Sequence, residues 1–163
     1  MHYYNMIVLR HFKILILSHV FFWVAHTLAS AADLDPWEAL QGGDYVGVEE
    51  VWLPRAERGE IEAQIFMGHV ETMRNMHSEA ARWYRLAAIK GSPVAQALLA
   101  NQYLSGSGVD LDLVQAYALY DLAASKGHQN ATRARDLIAR QMSEEQLGQA
   151  LDLSANWKRD GLD

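Results

Sequence analysis

The chain of 163 residues contains no cysteine and only three prolines. Without cysteine no disulfide can stabilise it, and every cysteine nucleophile or thiolate metal site is excluded. So few prolines argue against long irregular connections, and the shortage of charge, 21% of residues, argues against a disordered chain. Basic residues are also in deficit, 14 against 20 acidic ones, which removes the electrostatic basis of non-specific nucleic-acid binding. Nor is there a G-x-S-x-G elbow, a P-loop or a dinucleotide-binding glycine fingerprint. Packing of apolar residues, half of the composition, has to carry the fold.

Those apolar residues fall into two kinds of segment. Near the N-terminus, Arg10 and Lys13 precede the run "ILILSHVFFWVAHTLA", and Ala29-Ser30-Ala31 closes it. A basic start, an apolar stretch and a small-residue site have the form of a secretory signal peptide over residues 1–31. The alternative is an uncleaved anchor, because the run approaches the length that spans a bilayer. On the first reading the mature chain loses two of its basic residues, 12 then face 20 acids, and the net charge is −8. The expected location is the periplasm or the outside of the cell, with membrane contact only through an uncleaved leader.

The rest of the chain repeats itself. Glycines 59, 91 and 127 each follow a helix-like segment and lie 32 and 36 residues apart, a spacing that signals stacked helix pairs. Three residues before each stop stand Ala56, Ala88 and Ala124. Seven before stand Trp52, Tyr84 and Tyr120, and eleven before stand Val48, Ala80 and Ala116. Positions four apart share a helix face, so each unit carries a small, aromatic, small stripe that a neighbouring helix can approach closely. The preceding helices match as well, "AQIFMG" at 63–68 over "AQALLA" at 95–100, and the match then drifts by four residues. The later unit joins its two helices through "SGSGVD", where Gly106 and Gly108 are suited to positive φ and Val109 can turn inward. The earlier one has only "MRNMH".

The flanks follow the same grammar. "DPWEAL" opens a short helix with Pro36 in its first turn, and Pro54 is expected to kink the helix after it. "NATRARDLIARQ" has the form of a further first helix. Ser143 with Gln146 is a capping box for a last helix, running to about Trp157 with Leu147, Leu151 and Leu153 on its apolar side. The approximate units are 37–59, 60–91, 92–127 and a C-terminal cap at 128–157, within a repeat domain spanning 32–163.

The segments "AQALLANQYLSGSGVDLDLVQAYALYDLAASKG" at 95–127 and "EAARWYRLAAIKG" at 79–91 resemble the Sel-1-like repeat family, relatives of the tetratricopeptide repeats. The likeness extends over roughly residues 37–157. It departs at Glu71, where the later unit has Tyr103, and at the missing glycine loop after Met73. The resemblance implies an all-α fold, a short right-handed α-solenoid of antiparallel helix pairs, acting as a scaffold that holds a protein or peptide on its concave face. The inward-facing positions it implies are His69 and Asn101, with Ile65, Ala97 and Arg133 by extrapolation. Both polar residues are expected to be dispensable for packing.

Other chemistries have less behind them. The pairs Glu49-Glu50, Asp110 with Asp112, and Glu144-Glu145 suit solvated faces and first-turn acids favoured by the helix dipole. His69, Met73, Met76 and His77 form a soft ligand set of the kind copper prefers, but spacing fixes no third ligand, so no metal and no cofactor is expected. The remaining alternative is a hydrolase of β-lactam or cell-wall compounds. Exported relatives credited with that activity carry a disulfide in each repeat, which this chain lacks, so no catalytic residue is assigned. Mass spectrometry of the exported protein is expected to find Ala32 at its N-terminus, and an intact leader in the membrane fraction would establish the anchor instead.

Overall fold

The computed structural model describes residues 35–162, and the signal segment expected at 1–31 lies outside them. Among the described residues there are helices and turns and no strand. The helices are α1 (Pro36–Gln41), α2 (Tyr45–Glu57), α3 (Ile61–Met73), α4 (His77–Ile89), α5 (Pro93–Ser105), α6 (Leu113–Ser125), α7 (Gln129–Ala139) and α8 (Glu144–Asp160). None is long and apolar enough to cross a membrane.

The described residues fall into two compact units, one ending at Gly47 and the other beginning at Val48. In the first, Asp35 caps α1 by accepting the Trp37 N–H at 2.9 Å, and Pro36 stands in the opening turn, where a missing N–H costs nothing. Asp44 does the same for the start of α2, accepting the Gly47 N–H at 3.0 Å. The helix then runs on through Pro54 without interruption.

The second unit is built on a repeated joint. At 59, 91 and 127 the glycine has φ of 88°, 86° and 84°, a region costly for any residue with a Cβ. Its N–H returns to the alanine carbonyl three residues back, each at 2.9 Å. The next N–H, of Glu60, Ser92 or His128, returns five residues at 3.1, 3.2 and 3.1 Å. This pair of bonds is the Schellman closure, which satisfies carbonyls a helix end otherwise leaves open. Side chains from the following repeat then seal the first two joints. Gln64 and Gln96 donate to the carbonyls of Ala56 and Ala88 at 3.1 and 3.2 Å, while Lys90 and Lys126 donate to those of Gly59 and Gly91 at 2.5 and 2.7 Å. The cations sit where the helix dipole places negative charge.

The stripe is core, as its period requires. Val48, Ala80 and Ala116 are buried, as are Tyr84 and Tyr120, and Gly68 explains how closely α3 and α4 approach. A Cβ there would lie 2.2 Å from the Tyr84 ring, so only glycine fits beneath it. Stripe positions at the edges are less enclosed. Ala124 is half-buried, and Trp52 is half-buried against Phe66, centroids 4.6 Å apart, with the Arg55 guanidinium 4.5 Å over its ring.

The two inner turns solve one problem differently. After α5, Gly106 and Gly108 take positive φ, Val109 packs against the core, and Asp112 caps α6 through the N–H groups of Val114 and Gln115. Gly108 lies so close to the backbone of His77 that a Cβ would fall 2.1 Å from its carbonyl oxygen. After α3 the glycine's place is taken by Asn75 at φ 61°, and Met76 N–H closes the Schellman bond to Glu71 O at 2.8 Å. Asparagine is among the few other residues that tolerate this conformation. The departure at Glu71 also has a local solution. Its carboxylate is buried, with Arg74 at 3.7 Å, and Arg74 also pairs with Glu49 of α2. Burial pushes the Glu71 carboxyl above the usual carboxylate range, the nearby Arg74 opposing. In the later unit Tyr103 stands there, its hydroxyl accepting from Arg85 at 2.5 Å.

At the C-terminal end the Ser143–Gln146 capping box forms as expected, and α8 extends to Asp160. Leu151 is an exception to the sequence reading: it is 47% exposed, and the buried positions of α8 are Ala150 and Ser154. The inward face is set by a polar contact. Asp121 of α6 accepts from Arg135 of α7 at 2.9 Å and from Ser154 and Lys158 of α8 at 2.7 and 2.5 Å. Burial acts to raise the Asp121 pKa, but the bonds from Lys158, Ser154 and Arg135 outweigh it and hold the carboxyl below its usual range. A depressed carboxylate stabilises the fold fully above its unfolded pKa and loses that contribution as pH falls through the folded value. The melting temperature is therefore expected to fall more steeply below about pH 4 in the wild type than in Asp121→Asn, and parallel acid limbs would show that the contact contributes nothing.

Candidate functional site in the cleft between α5 and α7

The five residues expected on the inner face do not form one site. Ile65 is half-buried against the core, Ala97 is buried at 6% exposure, and Arg133 is exposed on α7. His69 and Asn101 turn out to share a role that overturns their supposed independence of packing. Tyr84 OH meets His69 Nδ1 at 3.2 Å, with the two rings edge to face at a centroid distance of 5.6 Å. Tyr120 OH donates to Asn101 Oδ1. Each is the polar anchor of a stripe tyrosine, which needs a partner for its hydroxyl when the ring is buried. Burial holds the His69 pKa below its ordinary value and raises those of both tyrosines, the Thr72 hydroxyl opposing at Tyr84, so all three favour their neutral forms.

Two of the five, Ala97 and Asn101, line a cleft of about 290 Å³ between α5 and α7. Val94 and Leu98 of α5 and Ala131 and Ala134 of α7 give it apolar walls. Tyr120, Asn130 and His128 supply the other polar groups, and no lining residue carries a carboxylate, an ammonium or a guanidinium. His128 caps α7, its Nδ1 accepting the Ala131 N–H at 3.1 Å.

Hydrogen-bond accounting gives the cleft a definite polarity. With Oδ1 accepting from Tyr120, the Asn101 amide presents its two N–H donors. With Nδ1 accepting from the backbone, the neutral His128 ring carries its proton on Nε2. Donors beside apolar walls suit a ligand that brings acceptors. Among the described residues no three His, Cys, Asp or Glu side chains come close enough to hold a metal ion.

His128, Asn130 and Leu98 were missed as site residues. One signal was available for His128: it follows the Gly127 stop as Ser92 follows Gly91, and Ser92 caps α5 by accepting the Ala95 N–H at 3.3 Å. Histidine is an uncommon residue at that position, so its type concealed its place.

Comparison with known proteins agrees with this architecture. The family described as Sel1 repeat matches twice, at residues 61–92 and 93–128. The chain carries two Sel1 repeats. The first takes in α3 and α4, the second α5 and α6, and each match ends on the residue after a glycine stop. Among solved structures the chain is similar to a protective antigen of uropathogenic Escherichia coli strains that displays an SLR fold. The identity is 28% and the TM-score 0.64, over 78% of this chain and 31% of the antigen, so the chain spans under a third of that protein's length. A Sel1 repeat protein from Oxalobacter formigenes is 25% identical over 62% of this chain and 95% of its own, with a TM-score of 0.47. None of the curated proteins matches the sequence.

The Sel1 repeats thus place a polar residue of each first helix against the tyrosine of the second. If each pair is one hydrogen-bonded unit, Asn101→Ala and Tyr120→Phe should each cost about 1 kcal/mol. Their double mutant should cost little more than either, because the bond is lost once. Denaturant unfolding of the four proteins measures the coupling, and strictly additive losses would mean the two groups act separately.

Proposed function

We propose that the protein is a peptide-binding scaffold, and that the cleft between α5 and α7 takes an extended, uncharged stretch of a partner chain. The single observation behind this is the cleft's polarity: N–H donors on Asn101 and His128 beside the apolar walls of Val94, Leu98 and Ala134, with no charged group among its lining residues. A main chain in extended form presents carbonyl acceptors at regular intervals and small side chains between them, which is the complement of such a surface. The Sel1 repeats add support, because stacking helix pairs holds the cleft rigid, and a rigid surface binds at lower entropic cost.

We further propose that the scaffold works outside the cytoplasm, on the strength of the 1–31 sequence, and that 37–59 and 128–157 are divergent flanking units of the same array. A photo-crosslinking residue placed at Leu98 is expected to form peptide adducts, and one at the exposed Leu151 to form none. Asn101→Ala should lower the Leu98 adduct yield about tenfold, corresponding to two lost hydrogen bonds. Equal yields from both sites would refute the cleft as the binding surface.

A further inference from the structure

His128 occupies two roles at once. It caps the first turn of α7 through Nδ1, and its ring lines the α5–α7 cleft. The cap needs the Nδ1 lone pair, which only the neutral imidazole has. Ser92, at the equivalent joint one repeat earlier, caps with a hydroxyl that does not titrate. Histidine is the one side chain whose ordinary protonation falls between pH 5 and 8.

We propose that His128 is an acid-released latch on the cleft: taking a proton on Nδ1 frees the Ala131 N–H, loosens the first turn of α7 and changes the wall that faces Asn101. Two physical consequences of protonation act in the same direction. The acceptor disappears, and a positive charge arises at the helix end where the dipole is already positive. The residues lining the cleft offer no compensating charge. α5 contributes Val94, Ala97, Leu98 and Asn101 to the cleft, none of them charged, and α6 contributes the neutral Tyr120. The neighbouring cation, Lys126, is turned back onto Gly91 O at 2.7 Å. On α7 itself the lining residues are Asn130, Ala131 and Ala134, while Arg135 is paired with Asp121 of α6. The Asp121 contact titrates below the usual carboxylate range, well outside the histidine window, so the two acid responses separate in pH.

The latch deepens the cleft reading above by giving that site a regulation, and its test needs no ligand. NMR of the full chain follows three signals from pH 8 to pH 5: the His128 ring, the Ala131 amide and the side-chain amide of Asn101. In the wild type the Ala131 amide should lose about fivefold of its protection, after correction for intrinsic exchange, with the midpoint of the His128 titration. The Asn101 amide should shift with the same midpoint. His128→Asn keeps a capping oxygen without a titrating group, so in that variant both responses should vanish while the melting temperature at pH 7.5 stays within a few degrees of the wild type. Ala131 protection that is flat through the His128 titration, or that responds equally in His128→Asn, overturns the latch. So does an Asn101 amide that ignores it. Failure of the peptide-binding reading would show separately, as absent Leu98 adducts at pH 7.5 with the NMR response intact.

Discussion

The architecture depends on how a helix is made to end. A second helix in each repeat has to stop within one residue, reverse direction and leave no carbonyl exposed inside the stack. Glycine at positive φ makes the reversal possible, and the Schellman bonds close the last turn. The carbonyls that remain are answered by the next repeat, through the Gln64 and Gln96 amides and the Lys90 and Lys126 ammonium groups. The joints at Gly59 and Gly91 are therefore completed by the segment that follows each. The buried tyrosines, the small residues beneath them and the cleft between first helices all take their positions from that joint.

Much of this was legible because it is local or periodic. Glycine stops, the small–aromatic–small column and the capping box are patterns within a few residues of the chain, and repetition confirmed the first two against their copies. Exposure at the edges was harder to read. Trp52 and Leu151 have the right residue types in the right phase, but how far each is covered depends on the neighbouring layer. The inner turn after Met73 lacked its glycine, and Asn75 supplied the same conformation without a pattern to announce it.

The site was less legible than the fold for a related reason. His69 and Asn101 were correctly placed on the first helices, but their bonds to Tyr84 and Tyr120 join residues in different helices and follow no helical period. The cleft draws α5 and α7 together across a joint, so its lining comes from the second Sel1 repeat and from the helix that follows it. His128 shows the point most directly. Its position is the repeat's N-cap, its residue type is not, and only the three-dimensional contact reveals that one ring serves both helix and cleft.

The tyrosine bonds also say something about how such a chain tolerates change. Tyr84 reaches back fifteen residues to His69, and Tyr120 reaches back nineteen to Asn101, and yet the two contacts are the same contact. Four extra residues have been absorbed in the 106–112 loop without displacing this tyrosine contact. The connection inside a repeat is thus a place where insertions and deletions are silent, whereas the joint between repeats, pinned by backbone carbonyls on one side and side chains on the other, is not. Lineages of this protein should accordingly drift in length at one kind of turn and hold the other to the residue.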